Sequence, residues 1–158
     1  MTDLILALRL VHILGASVLF GTGLGIAFFM WMANRAGDPA NIAATAGTVV
    51  IADTIFTAVA VIVQPISGAL LAWLTGYSLL ESWILAALAL YVVVGLCWLP
   101  VVVIQIKLRD LARAAATKPG LLPDQYQRLY AIWFALGWPA FVGVLLIFGL
   151  MIWRPTLW

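Results

Sequence analysis

Charged residues are scarce in this chain of 158 residues, since eight Lys or Arg and six Asp or Glu make up only 9% of it. A typical soluble domain, in which about a quarter of the residues are charged, is thereby excluded. The net charge of +2 does not indicate a nucleic-acid partner, because the basic residues lie at the ends of apolar runs instead of clustering on one polar surface. We expect the charges to report membrane topology.

Cysteine and histidine each occur once, as Cys97 and His12. A single cysteine excludes an intrachain disulfide and a metal cluster built on cysteines, and we expect Cys97 to be a small apolar residue within the third span. A single histidine excludes ligation of one metal by two histidines of the same chain. Any such pairing requires a second subunit.

Apolar residues are abundant, at 66% of the chain with a mean hydropathy of +1.16, which is typical of an integral membrane protein. Four continuous apolar runs are each long enough to cross a hydrocarbon core of about 30 Å, and they lack the alternation of barrel strands. The first lacks the basic leader and the cleavage site of a signal peptide. The sequence predicts an all-α, four-helix membrane bundle that forms one domain over residues 1–158, with helices at approximately 4–31, 49–73, 83–106 and 129–153.

The connections between the runs carry turn residues. The segment NRAGDPAN ends helix one and predicts that helix two begins near Ile42. Gly76 predicts the end of helix two, and the helical pattern of helix three continues through KLRDLARAAA (107–116). Residues 118–120 (KPG) should break that pattern, and Pro123 with Asp124 suits the start of helix four.

Basic residues beside the spans favour the cytoplasmic side of a membrane. Two of them, Arg9 and Arg154, lie toward the side of the chain termini. The other six lie on the side of the first and third loops: Arg35, Lys107, Arg109, Arg113, Lys118 and Arg128. The sequence therefore predicts that both termini lie outside, on the periplasmic side.

Polar residues from three runs fall at one depth in the outer half of the membrane. His12, Gln64 and Tyr91 all lie about eight or nine residues from the outer ends of their helices, with Arg9 and Ser67 about a turn nearer the surface. An ionisable residue at such a depth is a functional-site hypothesis by default. A neutral imidazole can bind haem iron, and Arg9 is placed to pair with a haem propionate. Equally, His12 could form an interhelical hydrogen bond to Gln64 or Tyr91, and Arg9 could extend to lipid phosphate.

Small residues in helix one, Ser17, Gly21 and Gly25, have the spacing of a helix-packing ridge. A second layer nearer the cytoplasm combines bulky indoles with prolines that kink the helices, and we expect the indoles to fill the resulting gaps. Its members are Trp98, Pro100, Trp138 and Pro139.

Asp53, followed by Thr54, lies near the cytoplasmic end of the second run. It could cap a helix, pair with Arg128 or Lys107, or carry protons. The residues alone leave these three roles open.

Several segments carry a family resemblance: LRLVHILGASVLFGTGLG (8–25), QPISG (64–68), WLP (98–100), GWPAF (137–141) and WRP (153–155). Through them, nearly the whole chain resembles the DUF2269 family of small bacterial integral membrane proteins. Helix one is also similar to the first helix of the HemJ-type protoporphyrinogen oxidases and of the copper-resistance D (CopD-like) proteins. The HemJ resemblance implies haem b bound by the histidine that matches His12. It also implies a lysine early in helix three, where this chain has Ala87.

These observations favour a haem b-binding protein of the bacterial inner membrane with a redox or haem-handling role. His12 is the predicted iron ligand, and Arg9, Gln64 and Tyr91 are the other predicted cofactor-binding residues. A homodimer or a larger membrane partner is compatible with this prediction. One alternative is a non-catalytic accessory subunit, since the spans offer few titratable groups. Another is transport of copper or a small solute, with His12 and methionine ligands such as Met30, Met32 and Met151.

Overall fold

A computed structural model describes residues 1–117 and 122–158 of the chain. It contains the helices α1 (Thr2–Ala36), α2 (Pro39–Ala52), α3 (Ala58–Thr75), α4 (Ser82–Ala116) and α5 (Asp124–Trp153). A π-helical turn, Asp53–Thr57, joins α2 to α3, so that Pro39–Thr75 is one rod of 37 residues. The four resulting rods are each long and apolar enough to cross a membrane. The predicted all-α, four-helix architecture is confirmed.

Most helix ends follow the local signals of the sequence. Gly37 and Gly76 adopt left-handed conformations with φ of 74° and 79°, and each ends its helix there because glycine has no Cβ to oppose that conformation. The prediction that helix two begins near Ile42 is wrong. Asp38 accepts hydrogen bonds from the amides of Ala40 and Asn41, and this N-cap starts α2 at Pro39.

The third and fourth rods extend as the sequence predicts. α4 continues beyond its apolar run to Ala116, and α5 begins at Asp124 directly after Pro123. The helix break predicted at residues 118–120 lies outside the described residues. Since about 20 residues suffice to cross the hydrocarbon core, rods of 30 to 37 residues tilt or project into the interface.

The bundle is densely packed at one end only. We call the end with the Gly37 turn the basic end, and the end with both chain termini the terminal end. α4 packs along α5, α2 against α4, and α1 against the α2–α3 rod, whereas α1 and α5 make few contacts. The buried apolar core lies toward the basic end and comprises Ile26, Met30, Ala33, Ile42, Ala43, Ala46, Val49, Ile104, Leu108, Ala112, Tyr126 and Trp133.

Polar contacts tie α5 to other elements at both ends. At the basic end, the Tyr126 hydroxyl donates to Asn34 Oδ1 at 2.8 Å. At the terminal end, Arg154 donates to the Tyr77 hydroxyl at 2.8 Å and lies over the Tyr77 and Trp83 rings. These contacts hold α5 against α1 and against the hairpin between α3 and α4.

Two expectations about surface and gap residues are not met. The Ser17–Gly21–Gly25 ridge does not pack against another helix of the described chain, because Ser17 and Gly21 are exposed and a Cβ added to Gly21 would meet no atom within 4 Å. Trp138 is 58% exposed and so does not fill an interhelical gap. Both features lie on the surface that faces lipid.

Gly143 on α5 permits close contact with α4. A Cβ added there would lie 2.6 Å from Val94 Cγ2, whereas one added to Gly137 on the same helix would meet nothing within 4 Å. We predict that Gly143→Ala lowers the free energy of unfolding by about 1–3 kcal/mol through overpacking. Gly137→Ala should leave it unchanged or raise it by up to about 1 kcal/mol. Thermal unfolding of both variants in detergent measures the difference, and equal behaviour would contradict this packing.

Candidate functional site

The α2–α3 rod buries a polar stripe. Asp53, Thr57, Ala60, Gln64 and Ser67 follow one another at alternating spacings of four and three residues, and all five are buried. That spacing places them on one helix face. Four of the five are polar, so the face directed into the bundle carries the groups that lipid would least tolerate.

Around Ser67 the stripe meets His12, which α1 brings to the same level. His12 Nδ1 lies 2.8 Å from Ser67 Oγ. The Ser67 hydroxyl donates its own proton to the Val63 carbonyl, at 2.7 Å, as serines in helices commonly do. Because a hydroxyl has only one proton, this geometry favours Ser67 Oγ as the acceptor of a hydrogen bond from His12, with the ring proton on Nδ1. In that tautomer of the neutral ring, Nε2 keeps its lone pair.

Two glycines allow α1 and α3 to approach this closely. Gln64 Nε2 donates to the His12 backbone carbonyl at 2.8 Å, and a Cβ added to Gly15 would lie 2.8 Å from that same nitrogen. A Cβ added to Gly68 would lie 3.1 Å from His12 Cε1. The imidazole thus packs against the backbone of α3, and the predicted link between His12 and Gln64 exists through the backbone of His12.

The other predicted cofactor residues lie apart from the ring. The Tyr91 hydroxyl donates to the Val61 carbonyl on α3. Arg9 is exposed on α1, and among the described residues the one salt bridge joins Arg109 to Asp110. The structure therefore brings Gln64 and Ser67 to His12, while Tyr91 binds the same rod two turns away from Ser67.

Two clefts among the described residues lie away from His12. One, of about 630 Å³, is at the basic end beside Trp31 and Arg35, and the other, of about 280 Å³, is between α4 and α5 near Trp153. Residues 1–117 and 122–158 hold no cluster of three or more His, Cys, Asp or Glu side chains suited to a metal ion. Met30 is fully buried in the basic-end core, so it does not meet His12.

A second polar group lies toward the basic end, centred on Asp53, which is only 4% exposed. Trp98 Nε1 donates to Asp53 Oδ1, and Gln105 Nε2 donates to Asp53 Oδ2, both at 3.2 Å. Trp133 Nε1 in turn donates to Gln105 Oε1 at 3.0 Å. We call these four residues the aspartate network. It joins the π-helical turn to α4 and α5.

Two members of the aspartate network, Gln105 and Trp133, were not predicted from the sequence. Of the three roles left open for Asp53, pairing with Arg128 or Lys107 does not occur, because its hydrogen bonds come from neutral side chains of the bundle interior. The signal for Gln105 was present, since it is the one polar residue in the run VVVIQI and follows Trp98 by seven residues, two turns along the same face. Trp133 has no comparable signal in an apolar run.

Comparison with known proteins gives one match. The family described as "Predicted integral membrane protein (DUF2269)" matches residues 6–155, nearly the whole chain. No curated protein and no solved structure matches.

Removal of the Ser67 hydroxyl tests the hydrogen bond to His12. We predict that Ser67→Ala lowers the free energy of unfolding by about 1 kcal/mol, because the Nδ1 proton loses its acceptor inside the bundle. Ser17→Ala is the matched control, since the Ser17 hydroxyl bonds only to the Ile13 carbonyl of its own helix and is exposed. Equal unfolding free energies of the two variants would show that the bond to His12 contributes nothing.

Proposed function

Since the chain belongs to the DUF2269 family of predicted integral membrane proteins, we propose that it binds haem b, with His12 as an axial ligand, in a redox or haem-handling role. The observation that carries the proposal is the distance of 2.8 Å between His12 Nδ1 and Ser67 Oγ. Since Ser67 donates its own proton to the Val63 carbonyl, the geometry favours the tautomer of His12 that leaves the Nε2 lone pair available. A histidine that binds a metal through one ring nitrogen usually donates a hydrogen bond from the N–H of the other, and this hydrogen bond fixes the orientation of the ring.

The surroundings of the ring suit a planar group. His12 is half-buried, and the residues beside it are small, with Gly68 against its edge and Ala16 one turn later on α1. α1 and α5 make few contacts, and Phe20 spans them by stacking on Phe141 with 5.4 Å between ring centroids.

Arg9 lies three residues before His12 on α1, toward the terminal end, and is exposed. Its guanidinium is therefore available to pair with a propionate that lies toward the interface. Gln64 holds the His12 backbone by its hydrogen bond, and so it positions the proposed ligand. Haem iron, when bound, would supply one-electron chemistry, for which the protein sets access and the second ligand.

The second axial position must come from another side chain, from a small molecule or from a second copy of the chain, because His12 is the one histidine. A dimer formed through the Ser17–Gly21–Gly25 ridge would not supply it. At 100° per residue, Ser17 lies about 140° around α1 from His12, and Gly21 lies about 180° from it. The two surfaces therefore point in opposite directions.

Haem titration of the purified protein in detergent tests the proposal. We predict a Soret band that saturates at one haem per chain, or at one haem per two chains where a second copy supplies the other ligand, and the loss of that band in His12→Ala. Ser67→Ala should still bind haem, but about 10- to 100-fold more weakly, because the ring loses its orienting acceptor. Ser17→Ala should behave as the parent protein does. A parent protein without a Soret band after reconstitution, or an unchanged band in His12→Ala, would contradict the proposal.

The second candidate is an accessory subunit that packs against a larger membrane partner. The exposure of α1 favours this candidate, because no residue in the most apolar stretch of 18 residues of α1 is buried inside the bundle. On this face the exposed Ser17 and Gly21 would let another helix approach closely.

Site-specific crosslinking in native membranes tests this candidate. In a Cys97→Ala background, Gly21→Cys should crosslink to a different protein, whereas a cysteine at Trp73, exposed on another rod, should not. The accessory role also requires that His12→Ala leave the crosslink unchanged. If Gly21→Cys forms no crosslink to another protein, the accessory role is contradicted.

A further inference from the structure

Asp53 is the one acidic residue within an apolar run of this chain. The other five lie outside the four runs, at helix ends or in connections: Asp3, Asp38, Glu81, Asp110 and Asp124. Asp53 also lies near the centre of its rod, 14 residues after Pro39 and 22 before Thr75. Ionisable groups at such positions are costly and mark ion or proton pathways.

The hydrogen bonds to Asp53 are directional. Trp133 donates to Gln105 Oε1, which directs the Gln105 amide nitrogen toward Asp53. Trp98 has only a donor to offer. Each carboxylate oxygen therefore accepts one hydrogen bond from a neutral group and keeps a further lone pair. These bonds stabilise the ionised form without supplying a positive charge.

The elements around Asp53 offer no cation to pair with it. Within the described residues no Lys, Arg or His nitrogen lies within 4 Å of its carboxylate. On α1, His12 lies level with Ser67 and Gly15 lies level with Gln64. The same register, continued along the two antiparallel helices, places Ile26 level with Asp53. Residues 19–26 of α1 contain no titratable side chain. On α4 the titratable groups of the apolar run are Tyr91 and Cys97, and on α5 the one in the run is Tyr130.

Tyr130 is linked to the aspartate network through Trp133, on which it stacks with 5.9 Å between ring centroids. It is neutral when protonated and so brings no positive charge. α2 contains no titratable side chain, and Asp53 is the one titratable residue of the second apolar run.

The backbone at Asp53 is also irregular. Asp53–Thr57 is a π-helical turn, in which the amide of Ala58 bonds to the Asp53 carbonyl five residues earlier. Such turns are frequent at functional sites. The Thr57 side chain is 6% exposed, and its hydroxyl oxygen is buried without a hydrogen-bond partner. An unused hydroxyl on the next turn of the same buried face is an additional acceptor or donor near the carboxylate.

We propose that Asp53 is a reversible proton-binding site inside the membrane. A proton taken from water at the basic end forms an O–H bond at a free lone pair of the carboxylate, and the buried charge changes from −1 to 0. On release, the proton returns to water and the carboxylate again accepts two full hydrogen bonds from Trp98 and Gln105. Proton binding therefore alters the contacts that join the π-helical turn to α4. This site is independent of haem binding at His12.

Infrared difference spectroscopy of the whole protein in lipid bilayers tests the proposal. As the pH is lowered, every carboxyl group gives the C=O stretch of a protonated acid, and we expect one component of this absorption, the band of the buried Asp53 acid, to be absent from Asp53→Asn. Asp110→Asn, which removes an exposed carboxylate outside the runs, is the matched control and should keep the band. Difference spectra of the parent protein and Asp53→Asn that are identical at every pH would overturn the proposal.

Two further measurements keep the test decisive if Asp53→Asn does not fold. Asp53→Glu should restore an acid band at a shifted frequency. Spectra recorded in Na⁺ and in choline separate a proton site from a metal-cation site. A carboxylate band that responds to Na⁺, without any acid band, would overturn proton binding.

Discussion

Inside the hydrocarbon core, polar groups must find their partners within the protein, and the α2–α3 rod of this chain depends on that constraint. Its buried face carries Asp53, Thr57, Gln64 and Ser67, and three of these four bond to groups on other helices. Apolar side chains gain little free energy when they leave lipid for the protein interior, because both are apolar. Hydrogen bonds between helices and close backbone contacts therefore specify which helices pack together. The rod is therefore the element against which α1 and α4 are positioned, and α5 packs in turn along α4.

The two polar groups differ in the packing around them. The aspartate network adjoins the dense core of the basic end, where Trp133 and Leu108 are almost fully buried. His12 lies outside that core, at the contact of α1 with α3. The fixed donors around Asp53 suit the proton-binding role that we propose for it. The half-buried ring of His12 suits the ligand binding that we propose for it.

Sequence reasoning predicted the architecture because apolarity over 20 or more residues permits few alternatives in a membrane. It also placed Gln64 and Ser67 within about one turn of His12, since helical rise converts residue number into depth, but the side chain level with the His12 ring is Ser67 and not Gln64. It did not find the partners of Asp53, because rotation about each helix axis decides which side chains meet, and continuous apolarity gives no periodic signal for that rotation. The π-helical turn also changes the rotation of the helix by a further amount, and no residue type in Asp53–Thr57 predicts such a turn. The membrane orientation of the bundle stays a prediction from the basic residues.

The central claim is that His12 carries its proton on Nδ1 and presents a bare Nε2. Because the chain has one histidine, ¹⁵N-histidine labelling gives a single imidazole, whose two nitrogen signals in solid-state NMR of the ligand-free protein in lipid report the tautomer directly. The account predicts a protonated Nδ1 and an unprotonated Nε2 at neutral pH, with the pattern lost in Ser67→Ala. A proton on Nε2 in the parent protein, with Nδ1 bare, would contradict it.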